Sequence, residues 1–351
     1  MTMLYPNNIE DKLHFRFVRD EISHRCKSSL GREEVDAISF SSDYDSIMHQ
    51  LREVAAMVRL IQSDDNDKLP HDQFSDPREM LSRIRIVGLF LEEEQLSSLR
   101  TILVMIRHTM LFFLSSIKNE TAREVSILNA PYSTYPDLCL CAEDIQSFPL
   151  LIETIDRVVD KHGHIRDNAS PELAQARREI LSKKSTITKR LNQILRQAQA
   201  DGIVESDAEI SIRDGRAVIP VAAANKRRLQ GIVMDESATG RTSYIEPTEI
   251  VMLNNDLREL QYAERREIIR ILTSMSDNIR PYINDILDGV MMLAHIDFIR
   301  AKALYAIDTD AIMPEVVNKP ESLICAGRHP LLLAQLKEQG KSIVPLDIEL
   351  K

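Results

Sequence analysis

Six basic side chains fall within one stretch of this sequence: Arg213, Arg216, Lys226, Arg227, Arg228 and Arg241. Guanidinium and ammonium groups in such a group can pair with backbone phosphates as a sequence-independent clamp, which positions a protein on nucleic acid without reading bases. Six carboxylates share the region, Glu205, Asp207, Glu209, Asp214, Asp235 and Glu236, so the competing reading is a solvated surface of mixed charge. Cys139 and Cys141 form a Cys-x-Cys that can hold zinc with a nearby histidine. The alternation Leu138-Cys139-Leu140-Cys141 reads more simply as small residues in a short apolar strand, and the four cysteines make no disulfide framework. His162 and His164 are also metal-ligand types, without a carboxylate or cysteine at matching spacing. Glu92, Glu93 and Glu94 stand where a helix begins and complement its dipole. No phosphate-binding loop, nucleophile elbow, zincin or dinucleotide fingerprint is present, so the chain itself offers no catalytic constellation.

Composition sets what can position these groups. The chain has 351 residues, 44% of them hydrophobic and 28% charged, with only 10 glycines, 5% aromatics and no tryptophan, which predicts a mainly α protein with more than one core. The net charge of −10 confines any nucleic-acid contact to a local patch. The most apolar run, Leu99 to Leu114, is interrupted by Arg100, Arg107 and His108, and the N-terminus has no signal-peptide core. A cytoplasmic location with no membrane partner is therefore expected.

Helical periodicity predicts a bundle in the first third. Asn7-Asn8 can cap a helix through Leu13, Phe17, Val18 and Ile22, and Asp43 one through Ile47, Leu51, Val54, Val58 and Ile61. Pro77 suits a first turn, and Glu92 to Ile117 is a strongly apolar helix expected at the bundle's centre. Asn129 to Phe148 reads as irregular structure with a short strand, and Val158 to Asp167 as a small hairpin. Ser170-Pro171 then starts a helix to Ala200 with Leu173, Ile180, Ile187 and Ile194 at coiled-coil spacing. A returning helix from Thr248 to near Pro281 is its expected antiparallel partner, followed by another from Ile283 to Ala306. Between them, runs around Asp214-Gly215, with Gly231 to Met234 and Thr242 to Ile245, predict up to four strands. The ascending helix carries Arg177, Arg178, Lys183, Lys184, Lys189, Arg190 and Arg196, spread around its circumference. The expected fold is thus a helical core bundle with two long antiparallel lever helices carrying a small β-rich clamp tip. Its expected parts are a core over 1–168, an ascending helix over 169–202, a clamp over 203–247, and descending and returning helices over 248–310.

Several stretches resemble the type 2 branch of the MutS family. HGHIRDNASPELAQAR before and including Arg177 is similar to the family's G-x-I-x-D-x-A-S-P-E-L-x-x-I-R, with Ala176 in place of the isoleucine. Arg213 to Val221 matches R-D-G-R-x-V-I-P-V, and Gly231 to Asn255 matches G-I-V-x-D-x-S-x-S-G-x-T-x-x-I-E-P-x-x-V-V-x-L-N-N. Ala326-Gly327-Arg328-His329-Pro330-Leu331-Leu332 resembles the A-R-H-P-L-L that opens the family's ATPase domain. These cover about residue 150 onward, whereas the first 150 fit only by pattern and length.

The resemblance implies a core, lever and clamp that approaches nucleic acid, with residues 311–351 as the start of an ATPase domain. It implies ATP and magnesium as cofactors of a longer homodimeric parent, whose phosphate-binding loop and nuclease-like module lie beyond this sequence. Ile343 falls near the position where the family sets a side chain against adenine. Because the first helices read as core-like, the resemblance carries no expectation of mismatch recognition. The expected parent is a DNA-dependent ATPase, with possible endonuclease activity, that binds branched DNA and restrains homologous recombination. Two alternatives remain open at this point: action on collided ribosomes, and a coiled-coil protein-interaction scaffold without catalysis.

Overall fold

A computed structural model of the chain describes residues 8–115, 135–319 and 321–350. It is mainly α, with two small antiparallel sheets. The helices are α1 (Ile9–Lys12), α2 (Phe15–Arg25), α3 (Ser29–Asp36), α4 (Tyr44–Ile61), α5 (Arg78–Arg83), α6 (Glu93–Ser115), α7 (Pro136–Cys139), α8 (Pro149–Val158), α9 (Pro171–Ala200), α10 (Thr248–Ile279), α11 (Ile283–Asp308) and α12 (Pro330–Glu338). The strands are β1 (Ser211–Arg213), β2 (Arg216–Ala222), β3 (Gly231–Glu236), β4 (Thr242–Pro247), β5 (Ser322–Gly327) and β6 (Leu346–Leu350). The chain divides into two compact units. One comprises residues 1–89, 94–155 and 277–351, and the other 90–93 and 156–276.

In the first unit, α11 is buried over most of its surface, through Ile286, Val290, Leu293, Ile296 and Ile299 among others, leaves Asn284, Asp288 and Met291 exposed, and packs against α2, α3 and α4. It shares the centre expected for α6 alone. Gly289 lets the two helices touch, since a Cβ there would lie 2.7 Å from Ile106 Cδ1. α6 is long and apolar enough to cross a membrane by length and composition, but 56% of that window is buried inside the protein, where Leu99, Leu103 and Ile106 face the core. The single helix expected from Asn8 is broken: His14 adopts a left-handed conformation (φ 54°) between α1 and α2. Asp43 caps α4 as its sequence suggests, accepting from Ser46 N at 3.2 Å.

The start of α3 is held from another helix. Ser28 Oγ accepts from Gly31 N at 2.9 Å, and the buried carboxylate of Asp297 on α11 accepts from Lys27 N, Ser28 N and Ser28 Oγ at 2.7–2.9 Å. A carboxylate among three donors satisfies orphan helix-end amides and its own burial together.

One expectation is corrected here. Cys139 and Cys141 lie in no strand: Pro136 at the first position starts α7, and Leu140–Ala142 follows as a 3-10 turn. An alternating run of four residues is too short to tell strand from helix, and the proline decides it. Residues 129–134 of that stretch lie outside the described residues.

The second unit is built on α9 and α10. Ser170 caps α9 by accepting from Leu173 N at 3.1 Å, with Pro171 in the first turn. Leu173, Ile180, Ile187, Leu191 and Ala198 are buried along one face, joined by Leu195. Three ion pairs fix α9 antiparallel to α10: Arg177–Glu264, Lys183–Asp256 and Arg190–Glu249, at 2.8, 3.0 and 2.6 Å. At 30 and 32 residues these helices run about 45–48 Å at 1.5 Å per residue. The chain between them forms a four-stranded antiparallel sheet in the order β1-β2-β4-β3. Asp214 and Gly215, both at positive φ (48° and 74°), make the tight β1–β2 turn. Ile219, Val221 and Ile245 from the sheet pack with Leu191, Leu195 and Ala198 of α9 and Ile250 of α10.

Candidate nucleic-acid interface

The basic residues of the sheet region do not form one surface. Arg216 points into the sheet, where Nη1 donates to Glu246 at 2.6 Å; Glu246 is fully buried and also accepts from Asn254 Nδ2 at 2.6 Å. Arg213 lies over the Tyr244 ring, 4.1 Å from its centroid, and pairs with Asp235 at 3.1 Å. Lys226 reaches Glu236 at 3.4 Å, and Arg228 donates to the Asp201 carbonyl at 3.2 Å. These contacts hold the sheet and its loops, and they account for much of the mixed charge counted in the sequence.

Arg227 and Arg241 differ from the rest. Both are exposed, and among the described residues neither guanidinium meets an acidic partner. The backbone brings their loops together. Ala223–Asn225 form a 3-10 turn after β2, and Ala223 N donates to the Arg241 carbonyl at 2.9 Å, so the turn leading to Arg227 adjoins the start of β4. Gly240, at φ 65°, allows the tight connection from β3. The close β3–β4 pairing also depends on Gly231, where a Cβ would lie 2.3 Å from the Glu246 carbonyl oxygen. Two cations with solvent around them are what a phosphate backbone can neutralise, whereas paired cations must first exchange a carboxylate.

On α9, Arg177, Lys183 and Arg190 are paired, whereas among the described residues the exposed Arg178, Lys184, Lys189 and Arg196 meet no acidic partner. Arg177 binds Glu264, Asp167 at 2.5 Å and the Ile165 carbonyl at 3.0 Å, which ties the hairpin closed by the Val159–Ile165 bridge to the helix pair. Within that hairpin Asp160 accepts from the backbone amides of His162 and His164 at 2.8 and 3.0 Å. Those bonds, the one from His164 first, hold its carboxyl below the usual range. Ile343 is half-buried in the loop between α12 and β6. His329 caps α12 by accepting from Leu332 N at 3.5 Å, which gives the Arg-His-Pro motif a structural place.

The sequence aligns over 341 residues with Endonuclease MutS2 of Geobacillus sp. (strain WCH70) at 31% identity, and with Endonuclease MutS2 of Halalkalibacterium halodurans at 33%. Endonuclease MutS2 of Symbiobacterium thermophilum aligns over 338 residues at 31%. Each match takes in 96% of this chain, and so most of the first 150 residues that no motif covered. The chain is MutS2-like. No family model matches it. The MutS2-like chain spans about 40% of the length of the curated relatives it matches.

Proposed function

We infer that this MutS2-like chain is the core, lever and clamp region of a longer ATPase, and that the loops bearing Arg227 and Arg241 grip a nucleic-acid backbone. The observation that carries the reading is the pair of unpartnered guanidiniums on adjoining loops of the sheet, at the end of two helices locked in register. In this reading α9 and α10 are the lever, the four-stranded sheet is the clamp, and Arg213, Arg216, Lys226 and Arg228 shape the clamp while Arg227 and Arg241 touch phosphate. Residues 311–350 open the nucleotide-binding half, to which ATP and magnesium belong, with Ile343 beside the base. The longer protein acts as a homodimer on branched DNA and thereby restrains recombination.

The test is made in the longer protein, with Arg227→Glu and Arg241→Glu, on junction DNA at several salt concentrations. Losing two phosphate contacts lowers the slope of log K against log salt by about 1.8, at roughly 0.9 per phosphate. Unchanged affinity and slope on junction DNA would overturn the reading. Loss of ribosome binding with junction binding intact would move the same clamp to a ribosomal target.

A further inference from the structure

A second group of chemically active side chains lies wholly within the α11 unit, far in sequence from the clamp. Four elements contribute: Glu34 from α3, Glu53 from α4, Cys141 from the 3-10 turn after α7, and His295 from α11. His295 Nε2 is 3.2 Å from Glu53 Oε1, and Cys141 Sγ is 3.5 Å from the same oxygen. The three potential ligand atoms of Glu53, Cys141 and His295 all lie within 4.8 Å of one another. On the other side of the ring, His295 Nδ1 is 2.9 Å from Glu34. Glu53 is only 2% exposed, so the group is no ordinary surface cluster.

These lengths suit a metal ion. With zinc bonds of ~2.0 Å to nitrogen, ~2.1 Å to oxygen and ~2.3 Å to sulfur, a tetrahedron has edges of roughly 3.4 Å (N to O) and 3.6 Å (S to O). The observed 3.2 and 3.5 Å fall within about 0.2 Å of those edges, and the sulfur and nitrogen lie within 4.8 Å of each other. Glu34 supplies the outer carboxylate that fixes the tautomer and orientation of a metal-bound histidine. We propose that Glu53, Cys141 and His295 bind a thiophilic divalent transition metal such as zinc, with Glu34 orienting His295 and a fourth position open to water beside His49. His49 stands four residues before Glu53 on α4, half-exposed, with Nε2 3.4 Å from Glu53 Oε1.

Without metal, the same atoms hold two protons. Bonds to Cys141, Glu34 and Glu53, in that order, push the His295 imidazole up to about 12, so Nε2 is protonated. Burial first, with Glu53 adding to it, keeps the Cys141 thiol protonated above its ordinary value. A divalent cation takes the place of the Nε2 and Sγ protons, both of which leave to solvent, so the charge of the group is unchanged.

The test uses the full chain stripped of metal and titrated with cobalt(II) and zinc(II). One equivalent of cobalt is expected to give tetrahedral d–d bands and a thiolate-to-cobalt charge-transfer band, and zinc to displace it. Cys141→Ser removes the charge-transfer band, whereas Cys139→Ser and Cys325→Ser keep it. Glu34→Gln weakens binding about 10- to 100-fold with the band retained, as an outer-ligand change does. Zinc on the unaltered protein also shields Cys141, but not the exposed Cys325, from alkylation read by mass spectrometry, a measurement that survives if a variant fails to fold. No charge-transfer band, or alkylation of Cys141 unaffected by stoichiometric zinc, overturns the site.

Discussion

Replacing Arg216 by alanine separates a cation that builds the four-stranded sheet from one that stands exposed on its loops. Glu246 is fully buried in β4, and its two oxygens are taken by Arg216 Nη1 and Asn254 Nδ2, each at 2.6 Å. Removing one partner of a buried ion pair costs about 3–5 kcal/mol, because the charge left behind has lost its solvent and its mate. The Arg216 side chain retains 18% exposure, so water reaches the vacated position and the low end, about 3 kcal/mol, is expected. That is roughly a hundredfold shift in the local folding equilibrium. Because the chain has two units, a single unfolding curve can mask the effect, and hydrogen exchange of the β2 and β4 amides is the proper readout. Replacing Arg216 and Glu246 together by methionine is expected to recover more than half the loss, since the stranded charge is gone. Arg227→Ala, on an exposed side chain, should change stability by no more than about 0.5 kcal/mol. Unchanged β2 and β4 protection in Arg216→Ala would refute the argument that this ion pair holds the sheet.

Gly31→Ala puts a Cβ 2.5 Å from Oδ2 of Asp297, a carboxylate that three donors hold in place, so a loss of about 1–3 kcal/mol is expected in thermal or urea unfolding. Leu191→Ala, at a position 2% exposed between α9, the sheet and α10, should cost about 2–5 kcal/mol and raise exchange in both helices. Glu267 is held below the usual glutamate range by its bond to Arg270, with Ser170 Oγ also donating to it at 2.6 Å. A depressed carboxyl stabilises the fold above its unfolded value of about 4.3 and stops doing so as pH falls through its folded value, so α9's first turn should loosen in acid. Glu267→Gln should flatten that acid dependence of exchange at Leu173.

The second unit was largely legible in the sequence because its signals are local. Ser170-Pro171 marks the start of α9, heptad spacing marks its buried face, and Asp214-Gly215 marks the hairpin. What could not be read was which cations are paired. Glu246 lies 30 residues from Arg216, and nothing in the spacing shows that β4 turns its carboxylate inward. The break at His14 and the helical turn at Cys139 were missed for a similar reason, since a single left-handed residue and one proline outweigh a pattern of apolar spacing. Of the Glu53, Cys141 and His295 group only Cys141 stood out in the sequence, as half of a Cys-x-Cys; its partners lie 88 and 154 residues away and had no signal. Only the packing of α11 against its neighbours gathers them.

The three ion pairs between α9 and α10 also restrict how that pair can move. Steps of six and seven residues up α9 meet steps of eight and seven down α10. If α10 slipped by four residues, about one helical turn, Arg177 would face Ile268, Lys183 would face Leu260 and Arg190 would face Leu253. Every cation would lose its mate at once and rest on an apolar side chain. Sliding is thereby closed off as a soft mode, and a twist or a bend of the whole rod is what remains to carry a displacement from one end of the pair to the other.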